Sequence, residues 1–408
     1  MRFINIALRG TTLASKFLLI FFLAKFLEPQ ELGVYGLLTA TIGYALYLLG
    51  FDFYTYTTRE ILKRKRHEWG GLLVDQGALS AVLYVIFLPL LSLIFIKEIL
   101  PWNYAAWFFV LLVLEHLTQE LSRLLIAISE QLLASAMLFL RSGIWAVLVT
   151  MLMFFRPDTR DLNIVLGSWT VGSFLALLLG LYRLRQLKIS GWNKKIDWQW
   201  IGQGLKVAIP LLLATLALRG LFTIDRYWFA DLANMETLGA YVLFIGISSA
   251  LMSFLDAGVF AFIYPELISA HHNKDAHVFR LKVRALLWQT LTLSAAFAIV
   301  ALLVIDPLLF WLDKPLYTEH KNLFPWTLLI MLIYSMGMIP HYALYAQGLD
   351  RPIIHSHIAS LLIFIPATWL MSQYWPLQAV PAGLCIAFLS ILLWKCLAFI
   401  RLTPAQYR

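Results

Sequence analysis

Charge is scarce in this sequence. Asp, Glu, Lys and Arg make up 13% of the 408 residues and apolar residues 61%; a soluble domain carries about twice that charge. The balance excludes most soluble enzymes and leaves a polytopic membrane protein. Cysteine is almost absent too: Cys385 and Cys396 share one predicted helix, about 16 Å apart, so they cannot bridge each other. No phosphate-cradling glycine loop, nucleotide motif or metal-ligand spacing occurs, so no ATPase, catalytic residue, cofactor or metal is expected. A signal-peptide cleavage site is also lacking. The first apolar run is too long and is interrupted by cations, so it is expected to stay as a span.

What is present is a series of apolar runs, each long enough for a bilayer. They lie near 3–27, 34–58, 72–96, 104–128, 134–155, 163–183, 207–230, 238–260, 285–305, 322–345, 354–374 and 379–400. The expected fold is therefore all-α, with about twelve transmembrane helices. Connections on one side, counted with both termini and Arg183, hold 19 of the 32 Lys and Arg residues. The opposite loops hold five: Lys97, Arg156, Arg160, Lys314 and Lys321. The positive-inside rule puts both termini in the cytoplasm.

The first span sets the functional question. Seven helical residues come to roughly 700°, about 20° short of two turns, so Arg9 and Lys16 share one face. Asn5 and Thr12 fall on it as well. A cation facing lipid costs about 3 kcal/mol even on lenient scales. Two on one stripe must face protein or water, and the natural partner is an anion. In the second span Thr41, Asp52 and Arg59 share a face by the same spacing. The fourth is the most polar, with Glu115, His116, Thr118, Gln119, Glu120, Ser122 and Arg123 within nine residues. The fifth carries Arg141, the seventh Arg219, Asp225 and Arg226, and the eighth Asp256.

Simpler roles exist for several of these. Asp52, Arg59, Arg123, Asp256 and Lys395 lie within a few turns of a span end and can snorkel. Glu120 and Arg123, three residues apart, can form a structural ion pair. His341, His355 and His357 read as ordinary interior or interfacial residues. Arg9, Lys16, Arg219 and Glu115 lie deep, and function is favoured for those.

Near mid-chain, Trp192, Trp198 and Trp200 alternate with Lys188, Lys194 and Lys195, which suits a segment at the headgroup interface. Between two spans that mixture does not indicate nucleic acid. The expected domains are 1–183, an interfacial linker over 184–206, and 207–408. A faint repeat supports two halves: AKFLEPQELGVY (24–35) and ADLANMETLGAY (230–241) align at Ala, Leu, Gly and Tyr. Arg219 and Arg226 also repeat the seven-residue spacing of Arg9 and Lys16. Duplicated halves around a midplane site are a common transporter plan.

The runs LASKFLLIFFLAKFLEPQELGVYGLLTA, DRYWFADLANMETLGAYVLF and KPLYTEHKNLFPW resemble Wzx-type oligosaccharide-lipid flippases of the polysaccharide transporter family. That family lies in the superfamily of the MATE exporters and the lipid II flippase. The resemblance implies a MATE/MOP-like fold of two six-helix bundles facing each other, a cationic central cavity and alternating access. It implies a polyprenyl-pyrophosphate-linked oligosaccharide as substrate, moved across a bacterial inner membrane for polysaccharide biosynthesis such as O-antigen. A polysaccharide polymerase and chain-length regulator proteins are the implied protein partners. On this reading Arg9, Lys16, Arg141, Arg219 and Arg226, with Arg59 and Arg123, are candidates to bind pyrophosphate. Asp52, Glu115, Asp225, Glu120 and Asp256 are candidates to exchange H+ or Na+. Two alternatives are weighed: a MATE-like cation-coupled small-molecule exporter, and a non-transporting scaffold of a glycan-assembly complex. An exporter of cationic drugs wants a carboxylate-dominated cavity, whereas cations outnumber acids at the deep positions here. A scaffold has no need of stacked buried cations.

Overall fold

The computed structural model describes residues 2–408, with side chains from Ile4 onward. Every regular element among them is helical. The chain begins with α1 (Arg2–Phe26), α2 (Pro29–Gly50), α3 (Tyr54–Lys63), α4 (Trp69–Ile96) and α5 (Ala105–Ala127). α6 (Gln131–Phe139) and α7 (Trp145–Phe155) form one span through a π-helical turn at Leu140–Ile144. α8 (Leu162–Gln186), α9 (Trp198–Leu232) and α10 (Met235–Leu255) follow. A second π-helical turn, Asp256–Phe260, leads into α11 (Ala261–His272). The rest comprises α12 (Ala276–Leu312), α13 (Pro315–Glu319), α14 (Leu323–Ala346), α15 (Asp350–Ser372) and α16 (Pro376–Leu402).

Among the described residues, eleven helical stretches are long and apolar enough to cross a membrane. The expected span outside that set is α5, which has the length but carries Glu115, Glu120 and Arg123. Two details differ from the sequence reading. α9 and α12 extend well outside their apolar runs; α12 has 37 residues, roughly 55 Å at 1.5 Å each against a hydrocarbon core of about 30 Å. Their N-terminal turns are polar, with Gln199, Gln203 and Lys206 in α9 and Arg280, Lys282 and Arg284 in α12, so a hydropathy window does not count them with the span. The second span also ends early. Phe51 and Asp52 have φ of 52° and 50°, a left-handed pair that L residues adopt at a cost of about 1–2 kcal/mol each. The helix stops there, and Arg59 belongs to the separate α3, exposed. The shared face proposed for Thr41, Asp52 and Arg59 is therefore not formed.

The chain packs as two compact units, one of Met1–Leu27 with Leu37–Leu212 and the other of Glu28–Gly36 with Leu213–Arg408. The segment 184–206, expected as an interfacial linker, falls within the first unit. Leu187, Ile189, Trp200 and Ile201 are buried in the core of the first unit with Phe53 and Leu72. Polar contacts reinforce the docking: the Gly70 amide donates to the Ser190 carbonyl at 3.0 Å. The fully buried Asp75 accepts from the Asp197 amide at 2.8 Å and lies 3.8 Å from Lys194.

α2 and α9 each contribute to both units, and Pro210 lies close to the division of α9. The repeated segments find their physical meaning here. Gly33 and Gly239, the aligned glycines, pack against each other's segments within the second unit. A Cβ on Gly33 would meet the Met235 carbonyl oxygen at 2.3 Å, and one on Gly239 the Pro29 carbonyl oxygen at 2.0 Å. Only a residue without a side chain allows these two helix starts to cross so closely.

Candidate functional site

In the first unit, three helical spans bring four of the expected residues together. Arg9 and Lys16 of α1 are exposed, yet their surroundings are protein. Arg9 Nε donates to Ser135 Oγ of α6 at 3.0 Å, and Ser135 in turn donates to Asn5 Oδ1. Lys16 lies within electrostatic range of both Arg141 and Glu115. α1 packs along the α6–α7 span, so the stripe's protein neighbours come from that span, with Glu115 of α5 within electrostatic range of Lys16.

Glu115 is the acid of this cluster and is well held. Its Oε1 accepts from Trp169 Nε1 at 2.9 Å and from Ser173 Oγ at 2.8 Å, both on α8. Arg141 Nε stands 3.6 Å from Glu115 Oε2, longer than a hydrogen bond. Arg141 projects from the π-helical turn, a device found often at functional sites. Its carbonyl accepts from Trp145 Nε1 at 2.7 Å, and Trp145 stacks on Trp169 with centroids 6.0 Å apart. The backbone around the guanidinium is thereby fixed, while Nε and Nη1 of Arg141 are buried without a hydrogen-bond partner. Lys16 makes no hydrogen bond or ion pair among the described residues. A buried donor left unmade costs about 1–3 kcal/mol. With Arg9, Lys16 and Arg141 against one carboxylate, the cluster carries an excess of two positive charges and unused donors. Excess positive charge with unused donors is chemistry suited to an anion.

The remaining candidates lie elsewhere. Arg123 Nη1 donates to Glu120 Oε1 at 2.6 Å and its guanidinium lies 3.7 Å over the Tyr54 ring. Glu120 Oε2 accepts from Gln76 at 2.6 Å. This is the structural pair that the i, i+3 spacing allowed, with both partners committed. Asp52 is buried at the break after α2.

In the second unit, Asp225 Oδ2 accepts from the Tyr241 hydroxyl at 2.8 Å, and Tyr241 stacks on Phe229 at 4.6 Å. Arg226 Nη1 donates to the Gly36 carbonyl at 2.7 Å. Arg226 therefore ties α9 to the start of α2, while its Nε is buried without a hydrogen-bond partner. Arg219 is exposed on α9, and Asp256 is exposed in its π-helical turn.

Sequence reasoning passed over one cluster. Lys395 Nζ lies 3.2 Å from His341 Nδ1 and 3.1 Å from His357 Nε2. These residues come from α16, α14 and α15, and the lysine does not snorkel: it is 1% exposed. A signal was available. His341 lies five residues before the end of α14, His357 seven after the start of α15, and Lys395 seven before the end of α16. In three consecutive antiparallel spans those positions share one depth.

The sequence model of the polysaccharide biosynthesis protein family matches residues 3–271. No curated protein matches the chain. Among solved structures, an inward-facing multidrug resistance MATE family transporter of the MOP superfamily superposes with a TM-score of 0.74 at 13% identity, covering 98% of this chain and 100% of that one. A MOP superfamily transporter from Pyrococcus furiosus, described as having a binding pocket of reverse polarity, gives 0.62 at 14% identity, covering 99% and 95%. An outward-facing MATE transporter gives 0.59 at 15%, covering 97% and 94%. At these identities the likeness establishes the fold alone, which is like that of these transporters.

Proposed function

The chain belongs to the polysaccharide biosynthesis protein family, and from that premise we propose that it is a flippase for a polyprenyl-pyrophosphate-linked oligosaccharide. The observation that carries the reading is the pair Lys16 and Arg141. Both lie at membrane depth, and both keep donors that no protein acceptor takes. Arg offers a planar fork to phosphate oxygens and Lys a mobile point charge. Together with Arg9 they replace part of the hydration that a pyrophosphate loses on entering the membrane. Glu115 holds Arg141 in place without consuming its hydrogen bonds. Trp169 beside it offers a flat apolar face to a sugar ring.

On this reading the protein is a transporter and not an enzyme. It sits in a bacterial inner membrane with both termini cytoplasmic and cycles by alternating access of its two units. The coupling ion is H+ or Na+. A polysaccharide polymerase and its chain-length regulator would act on the product at the far face. A MATE-like drug exporter is disfavoured by charge, since a cationic substrate would meet an excess of positive groups.

The test is complementation of a flippase-null strain, with surface polysaccharide normalised to membrane abundance. Lys16→Gln should cut polysaccharide strongly at normal abundance, because Lys16 supports no other side chain. Arg141→Lys should be intermediate, keeping charge and losing the fork. Full complementation by both at normal abundance would remove the pyrophosphate site.

A further inference from the structure

The cluster of Lys395, His341 and His357 has no part in the anion site described above. It is made of three bases. An ammonium has three donors and no acceptor, so both contacts are hydrogen bonds only if His341 Nδ1 and His357 Nε2 each present a lone pair. With Lys395 charged, both rings are therefore neutral: His341 carries its proton on Nε2 and His357 on Nδ1. The rings are parallel within 6° at 6.2 Å, and the Tyr345 ring is also parallel to His341, at 6.1 Å. His357 is further anchored by a bond to the Ala214 backbone.

No acid neutralises the cluster. α14 contains no Asp, Glu, Lys or Arg, and α16 contains only Arg401 besides Lys395. On α15 the charged groups are Asp350 and Arg351 in the first turn, then His355; seven residues put Asp350 roughly 10 Å along the axis from His357. Around α14, Glu266 of α11 is paired with Lys282 of α12 at 2.7 Å, and Asp256 acts on Tyr342. On α9, Lys206 and Arg219 lie to either side of Ala214. Among the described residues, the charged or titratable groups acting on His341 are Lys395 and His357.

Buried charges are normally paired. One flanked only by neutral bases has another way to relieve the penalty, which is to lose its proton. A second proton is opposed, because it would set two cations about 3 Å apart in an apolar shell. The cluster therefore alternates between one bound proton and none. We propose that Lys395, His341 and His357 form a binding site for a single proton, and that this site couples the proposed transport to a pH gradient. The exit is His341, the half-exposed member. It accepts the proton from Lys395 Nζ at Nδ1 and releases the one on Nε2, so charge leaves while the lysine stays in place.

Coupling rests on the flippase reading, but proton binding does not, and the experiment separates them. In the first arm, the purified full chain, labelled with [15N]histidine, is titrated in nanodiscs from about pH 5 to 10. The expected result is a single coincident step in the His341 and His357 ring nitrogens, lost in Lys395→Met. Flat rings throughout, or two independent steps, would overturn the site. Should Lys395→Met fail to accumulate, the wild-type rings decide by themselves.

In the second arm, proteoliposomes flip pyrophosphate-linked oligosaccharide with and without a one-unit pH gradient. Wild type should respond by a factor approaching tenfold, the change in proton activity over that unit. Lys395→Met, fixed without the charge, and Lys395→Arg, fixed with it, should be indifferent to the gradient. A wild-type response in Lys395→Met would overturn the coupling. So would a response to a Na+ gradient alone. A wild type that binds the proton but moves no oligosaccharide would sink the flippase reading and leave the proton site standing.

Discussion

Gly239→Ala should destabilise the second unit although the position is helical. Two effects oppose each other. Alanine in place of glycine inside a helix gains roughly 1 kcal/mol from backbone entropy. Against this, the new methyl would sit 2.0 Å from the Pro29 carbonyl oxygen, 2.8 Å from its carbon and 3.2 Å from its Cα. All three are backbone atoms, so no side chain can rotate away, and the segment must retreat by more than an ångström. Forcing atoms into a packed site costs about 1–3 kcal/mol. Here the upper end applies, because retreat also disturbs Gly33, whose own Cβ position is 2.3 Å from the Met235 carbonyl. The net is a loss of about 2 kcal/mol, more than tenfold in the folding equilibrium.

Gly43→Ala on α2 is the matched control, since nothing lies within 4 Å of its Cβ position. It should be neutral or stabilising by up to about 1 kcal/mol. The assay is thermal retention of monodisperse protein by fluorescence-detected size exclusion on fluorescent fusions. Equal midpoints for Gly239→Ala and Gly43→Ala would refute the close crossing.

Glu115→Gln should lower membrane abundance, because Arg141 then keeps a buried charge with no acid near it, a cost of about 3–5 kcal/mol when a buried pair is broken; immunoblots at matched expression read it. Asp75→Ala should free the 187–197 segment by removing the acceptor of the Asp197 amide and the partner of Lys194. Faster protease cleavage there is expected, and unchanged cleavage would contradict the docking. Cysteines placed at Lys188 and at Arg408 should be inaccessible to an impermeant reagent added to whole cells, whereas one at Asp158 should be labelled. Reversed labelling would overturn the orientation. Lys16→Gln should leave thermal stability unchanged while Arg141→Gln lowers it, because only Arg141 has Glu115 to balance.

Hydrocarbon is a demanding solvent, and that is why much of this fold is legible in the sequence. A bilayer requires runs of about 20 apolar residues, so span count and the polar character of α5 follow from local composition. The penalty on a lipid-facing cation singled out Arg9 and Lys16 in the sequence; Arg9 bonds Ser135, and Lys16 lies within electrostatic range of Arg141 and Glu115. Local composition could not show where α2 stops, because the break depends on two left-handed residues, one of them a phenylalanine. Nor could it show that residues 28–36 pack in the second unit, that 187–201 fill the core of the first, or that Arg226 bonds the Gly36 carbonyl. Those outcomes depend on partners more than a hundred residues away.

The same holds for the two clusters. The sequence determined which groups are ionisable and how deep they lie. Tertiary structure alone decided that Glu115 is satisfied by Trp169 and Ser173, leaving Arg141 with free donors. It alone decided that Lys395 meets two imidazoles instead of water. A charge acts over a few ångströms, and which groups fall within that distance is set by helix packing and rotation rather than by position along the chain.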